Sequence, residues 1–161
     1  MNMKRRALLP GIMVGFLLFG AFVCQAEKWD KNDFQSKTVE AAFYNADSVK
    51  VQKEVVSWTE KVLFTKAGSV SISEGISKYE ACKNTISERG PATHSQTDYM
   101  IKKGNIRLVA KRYYNKANKI LCTDRDMGKD FNTSWSNIER FSPAEKAKYD
   151  LVTKYKVKFP K

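Results

Sequence analysis

The first 26 residues decide which part of this chain folds and in what chemical surroundings. Lys4, Arg5 and Arg6 form a charged start, Ala7 to Val23 is almost wholly apolar, and Cys24-Gln25-Ala26 closes the segment on a small residue. That order of charge, apolar run and small-residue boundary is that of a secretory signal peptide, with cleavage expected after Ala26. An uncleaved anchor fits less well, because Pro10, Gly11, Gly15 and Gly20 interrupt a run already short for a membrane span. Lipidation of Cys24 also fits less well, with bulky Phe22 and Val23 before it. Export places the remaining residues where thiols oxidise. Only Cys82 and Cys122 remain there, so one intramolecular pairing is available and a Cys82–Cys122 disulfide is expected. On the chain-entropy model, closing a loop of about 40 residues stabilises a fold by roughly 4 kcal/mol.

Residues 27–37 read as a polar lead-in carrying Trp29 and Phe34, and residues 38–161 as a single domain. A hydrophobic fraction of 42% in a chain of 161 residues suits one self-sufficient core. It excludes a polytopic membrane protein, a collagen-like chain and a disordered tail. Val39 to Tyr44 is β-prone and Asn45-Ala46-Asp47-Ser48 supplies turn chemistry. The clearest strand follows. Val56, Trp58, Val62 and Phe64 share one face at period two, with Ser57, Thr59, Lys61 and Thr65 opposite and Glu60 the one misfit on the apolar side.

Lys66 to Gly68 ends that strand. From Ser71 to Gly90 the period changes, and Ile72, Ile76, Tyr79, Cys82 and Ile86 recur at helical spacing before Gly90-Pro91. This predicts a helical insert that turns Cys82 inward, followed by a loop, Ala92 to Gln96, with His94 exposed to solvent. Tyr99 to Lys102, the turn Lys103-Gly104-Asn105 and Ile106 to Tyr114 predict a hairpin, and Ile120 to Cys122 a further strand. Strict alternation puts Ile106, Leu108, Ala110, Arg112 and Tyr114 on one face and Arg107, Val109, Lys111 and Tyr113 on the other. A polar loop is expected from Thr123 to Thr133, after which Trp135 and Ile138 return to the core. Ser142-Pro143-Ala144-Glu145 has the N-cap, first-turn proline and later glutamate of a helix start, with Ala144, Ala147, Leu151 and Tyr155 as its buried stripe. Strands, a helical insert, more strands and a terminal helix predict an α+β fold. Its antiparallel β-sheet would carry the helical insert and the C-terminal helix packed on one face.

The run Tyr113-Tyr114-Asn115-Lys116-Ala117-Asn118-Lys119-Ile120, then Trp135-Ser136-Asn137-Ile138 and Ser142-Pro143-Ala144-Glu145, resembles the bacterial surface-adhesin protein E family. Ala46-Asp47-Ser48-Val49 ahead of the Trp58 strand is similar to that family's turn as well. The resemblance implies an exported domain, an antiparallel sheet with a C-terminal helix packed on it, and binding of host matrix or plasma proteins. The chain departs from the pattern in its Ser71–Gly90 insert and in lacking a glycine turn near Gln52-Lys53.

Catalytic signatures are absent from the sequence. There is one histidine, both mature cysteines are committed to pairing, and no nucleophile elbow, zinc-helix or phosphate-loop motif occurs. Asp124-Arg125-Asp126-Met127-Gly128-Lys129-Asp130 sets carboxylates at intervals, but its glycine is misplaced for a calcium loop and its cations dilute the charge. No enzyme activity, cofactor or metal is therefore expected. Across the chain 29 Lys and Arg face 17 Asp and Glu, and the leader holds three of the cations and none of the acids. The mature chain thus stands at about +9. Outside the cytoplasm nucleic acid is not an expected partner, and an acidic protein or polymer is. Membrane contact is expected only through the leader. Arg107, Lys111 and Tyr113 are the candidate ligand-binding residues, on a basic, tyrosine-bearing sheet face of a protein at the bacterial cell surface or in the periplasm. The alternative is a periplasmic envelope factor holding a cell-wall or lipid component.

Overall fold

The computed structural model describes residues 27–102 and 104–158, so the expected signal peptide, residues 1–26, lies outside the described residues. In chain order, β1 is Trp29–Lys31, β2 Val39–Asn45, β3 Lys50–Gln52 and β4 Val55–Phe64. Two helices follow, α1 (Lys66–Ile76) and α2 (Glu80–Arg89), then β5 (His94–Lys102), β6 (Asn105–Tyr114) and β7 (Ile120–Thr123). A short α3 (Asp124–Met127), a two-residue β8 (Ser136–Asn137) and α4 (Pro143–Tyr155) complete the chain. The main path of the sheet runs β1-β2-β4-β5-β6-β7, with β3 beside β4 and β8 beside β6, and every pairing is antiparallel. The fold is α+β. Among the described residues, no helix is long and apolar enough to cross a membrane.

Both core clusters lie on the same face of the sheet. In the first, Ala144, Ala147 and Leu151 of α4 pack on Tyr44, Val56, Trp58, Ile101 and Ile106. Ser142 starts α4 as its sequence predicts, its Oγ accepting the Glu145 N–H at 3.1 Å. The helix is tied to the sheet edge by Asp30, which accepts from Lys154 Nζ at 3.1 Å and from the Tyr155 hydroxyl. In the second cluster Ile76 and Cys82 of the helical pair meet Ala92, Tyr113, Leu121 and Cys122. The Cys82–Cys122 disulfide is present, with Cα atoms 4.8 Å apart, and fastens α2 to β7.

Several expectations are corrected by the structure. The predicted single helix is two, because Ser77 N–H bonds to both Ser73 and Glu74 carbonyls and the chain turns through Lys78 and Tyr79 before α2. The apolar period survives the break, since Ile72, Ile76, Tyr79, Cys82 and Ile86 all reach the disulfide cluster. Helix α1 also begins earlier than expected, at Lys66, because Thr65 Oγ1 accepts the Gly68 N–H at 3.0 Å and caps it. Gly68 is required there, as a Cβ would stand 2.0 Å from the Thr38 carbonyl oxygen.

His94 is not an exposed loop residue. It opens β5, is 5% exposed and stacks on Tyr114 with ring centroids 5.0 Å apart. The chain re-enters the sheet at once after α2, since Ser73 Oγ accepts the Ala92 N–H at 2.9 Å and buries that residue. The lead-in supplies strand β1, and the expected Thr123–Thr133 loop begins as α3, closed by reciprocal bonds between Thr123 and Asp126. Ile138 packs on the first cluster, whereas Trp135 stays 40% exposed.

Candidate binding face

Side chains alternate between the two faces of a strand, so the register assigns each one. On the face opposite the helices, one row runs Lys31, Phe43, Lys61, Gln96, Arg112 and Thr123 across six strands. Towards β3, beyond the row of Thr59 and Asp98, the next row brings Lys50, Ser57, Met100 and Arg107 together. Trp29 lies on this face beside Lys61, whose Nζ stands 5.9 Å from the indole centroid. Asp98 is the acid in the middle, and it is already engaged, accepting from Arg112 Nη2 at 2.9 Å and from Thr59 Oγ1 at 2.8 Å. A shallow cavity of about 390 Å³ opens between these groups and the Asp47-Ser48 turn. The Ser48 hydroxyl there accepts the Thr59 N–H at 2.8 Å and fixes the turn against β4.

The three sequence candidates do not share a face. Arg107 pairs with Met100 and Lys111 with Thr97, and Met100 and Thr97 are three residues apart on one strand. Arg107 is therefore on the helix-free face, whereas Lys111 and Tyr113 point to the covered one. The cause is a bulge in β6: Ala110 pairs with Asp98 but Leu108 pairs with Tyr99, leaving Val109 unmatched and shifting the alternation by one residue. The predicted faces are corrected accordingly, with Lys111 and Tyr113 joining Ile106 and Leu108. Tyr113 is buried at 6% exposure in the disulfide cluster, so it is no surface contact, and Lys111 lies over its ring at 5.2 Å. Lys31, Lys61 and Arg112 take the places that Lys111 and Tyr113 were expected to hold. For Lys61 the signal was legible in its alternation with Val62. For Arg112 the bulge hid it.

The covered face holds its own anomaly. The row Tyr44, Glu60, Thr97 and Lys111 crosses the sheet between the two core clusters. Glu60 is 1% exposed, and its Oε2 has no hydrogen-bond partner among the described residues. Burial raises its pKa to about 8 against the opposing pull of the Lys111 cation. On the other face burial, reinforced by Lys61, lowers the pKa of His94 to about 4, so its imidazole is neutral at pH 7. The carboxylates of the 124–130 segment do not converge. Asp124 accepts from Lys111 N–H, Asp126 caps Thr123, and Asp130 takes both Lys78 Nζ and the Tyr79 hydroxyl.

These features define a disulfide-tied α+β domain whose antiparallel sheet is covered on one side and presents a cationic, aromatic surface on the other. No family model, curated protein or solved structure matches the chain.

Proposed function

We propose that the protein is an exported, non-enzymatic binding protein that holds an acidic macromolecule on the helix-free face of its sheet. The observation that carries this reading is Lys31 and Lys61 beside Trp29 and Phe43, with the nearby acid Asp98 and Arg112 of the same face neutralising each other. Cations interleaved with aromatic rings on a broad, preformed surface favour anionic protein or polymer segments and steer their approach. The resemblance to the surface-adhesin E family supports a place at the cell surface and a host protein as the partner.

The test is retention of residues 27–161 on an immobilised polyanion and on an immobilised acidic protein, read as the salt concentration needed for elution. Lys31→Glu with Lys61→Glu should elute at markedly lower salt than the parent, while Lys66→Glu with Lys83→Glu, an equal change of net charge on exposed positions of α1 and α2, should elute close to it. Equal losses from both sets would reduce the interaction to net charge and remove the face assignment. Trypsin treatment of intact producing cells, with a periplasmic control spared, should cleave the protein. Cleavage only after lysis would contradict the surface location.

A further inference from the structure

The segment between α3 and β8 carries the residues of a modification site that the binding face does not use. Of the nine asparagines in the chain, only Asn132 has serine or threonine two residues on, in Asn132-Thr133-Ser134, with no proline between them. That is the acceptor pattern for a glycan linked to the asparagine nitrogen. Asp130, two residues ahead of Asn132, supplies the acid that the longer, bacterial form of this acceptor sequence carries. The fold presents the pattern openly. Residues 131–135 lie between a single turn at Gly128–Asp130 and β8, belong to no helix or strand, and leave Asn132, Thr133 and Ser134 exposed. Asparagines elsewhere have structural tasks: Asn32 and Asn115 are buried and donate to the Pro143 and Arg89 carbonyls. Asn132 has none that holds its nitrogen. Its Oδ1 accepts the Ser134 N–H at 2.8 Å, which fixes the carboxamide beside the serine. Among the described residues neither its Nδ2 nor the Ser134 hydroxyl has a hydrogen-bond partner.

Asp130 is held by Lys78 Nζ at 3.1 Å and by the Tyr79 hydroxyl at 3.0 Å, both from the turn between α1 and α2. Lys78 and Asp130 are each more than half exposed, so the pair is weak and a transferase can displace it. The same contact ties the segment to the helical side of the sheet, since Tyr79 packs on the disulfide cluster, and keeps it away from Lys31 and Lys61. We infer that Asn132 is the attachment point of an N-linked glycan, added as the chain is exported. The inference rests on the export proposed above, because the sugar donor, an oligosaccharide on a lipid pyrophosphate, is displayed on the far side of the membrane from the cytoplasm. In the transfer Asn132 Nδ2 forms a bond to the anomeric carbon of the donor sugar. The bond from that carbon to the phosphate oxygen breaks, its electron pair leaves on the lipid pyrophosphate, and one Nδ2 proton passes to a base of the transferase. The Ser134 hydroxyl is the group by which the transferase recognises the acceptor, and being unpartnered it needs no rearrangement of the fold to be read.

The test is made on the protein purified from the cells that produce it. Trypsin releases Asp130–Arg140 as one peptide, which also carries Asn137, an internal control with no hydroxyl residue two places on. Mass spectrometry should find this peptide heavier by a whole number of sugar residues, and electron-transfer fragmentation should place the added mass on Asn132. Asn132→Gln and Ser134→Ala should each lose the added mass, whereas Ser134→Thr should keep it. Both positions are exposed, so the variants should fold, which circular dichroism checks in parallel. The unmodified peptide alone, from a chain that begins at Glu27, would overturn the inference and leave export standing. A chain retained in the cytoplasm with residues 1–26 attached would overturn both. Added mass located on Thr133, Ser134 or Ser136, or persisting in Asn132→Gln, would make the linkage one through oxygen and equally refute the proposal.

Discussion

Glu60 should make this protein lose stability as the solution becomes more alkaline, and Glu60→Gln should remove that loss. The carboxyl is fully buried on β4, and its pKa moves from an ordinary 4.5 to about 8. Below pH 4.5 the folded and unfolded chains both hold the proton. Between 4.5 and 8 the unfolded chain gives it up and the folded chain keeps it, so stability falls as pH rises. Above 8 both are ionised and the loss levels off. At 1.36 kcal/mol per pH unit the complete loss is about 5 kcal/mol, of which roughly 4 kcal/mol accrues between pH 5 and pH 9. Glutamine has the same shape and no proton to lose. Urea unfolding of parent and Glu60→Gln, followed by Trp fluorescence at pH 5 and pH 9, therefore isolates the effect, because every other titrating group is common to both proteins. The stability of the variant relative to the parent should rise by about 4 kcal/mol across that interval. Profiles that stay parallel within 1 kcal/mol would show that Glu60 reaches water or a partner in the folded chain, and the reasoning would fail. Lys111→Met is the companion change. It removes the cation that restrains the shift and should enlarge the alkaline loss by extending it to higher pH.

Two other outcomes can be measured on the same footing. Cys82→Ser with Cys122→Ser opens a covalent loop spanning a sequence separation of 40 and should lower the unfolding free energy extrapolated to water by roughly 4 kcal/mol, with a steeper urea dependence because the unfolded chain expands. Alkylation of the unreduced parent followed by mass spectrometry should find neither cysteine labelled. His94 acts at the opposite end of the pH scale. Folding holds it neutral down to about pH 4 while the unfolded chain protonates below its ordinary 6.5, so its contribution is complete above pH 6.5 and is lost as pH falls towards 4. His94→Gln should flatten that acid limb, and an unchanged limb would mean that the ring protonates without leaving its stack on Tyr114.

What the sequence disclosed followed from how locally each signal was written. The β4 alternation needs only its own residues, and Ser142-Pro143-Ala144-Glu145 fixes a helix start within four positions, so both were legible. The disulfide was legible by elimination, since the expected removal of the leader leaves two cysteines. The position of His94 was not. Turn-forming neighbours predicted a loop, whereas the bond from Ala92 N–H to Ser73 Oγ, nineteen residues away, returns the chain to the sheet early. The bulge was equally hidden, because Val109 and Ala110 are unremarkable strand residues and the mismatch exists only against Asp98 and Tyr99 of the neighbouring strand.

That single unmatched residue ties the two faces together. With strict alternation Lys111 and Tyr113 would point to solvent beside Arg107, and Arg112 and Tyr114 would turn into the core. The covered band would then set Glu60 and Thr97 beside no cation from β6, and the disulfide cluster would lose the Tyr113 ring that packs on it. The bulge instead delivers Lys111 to the row of Glu60 and Arg112 to the row of Lys61. The same shift thereby moderates a buried acid on one face and neutralises Asp98 on the cationic other. Deleting Val109 should therefore damage both at once, raising the alkaline sensitivity set by Glu60 and weakening polyanion retention. A deletion that changed retention alone would show that the register beyond the bulge is held independently, by the pairing of Tyr113 with Cys122.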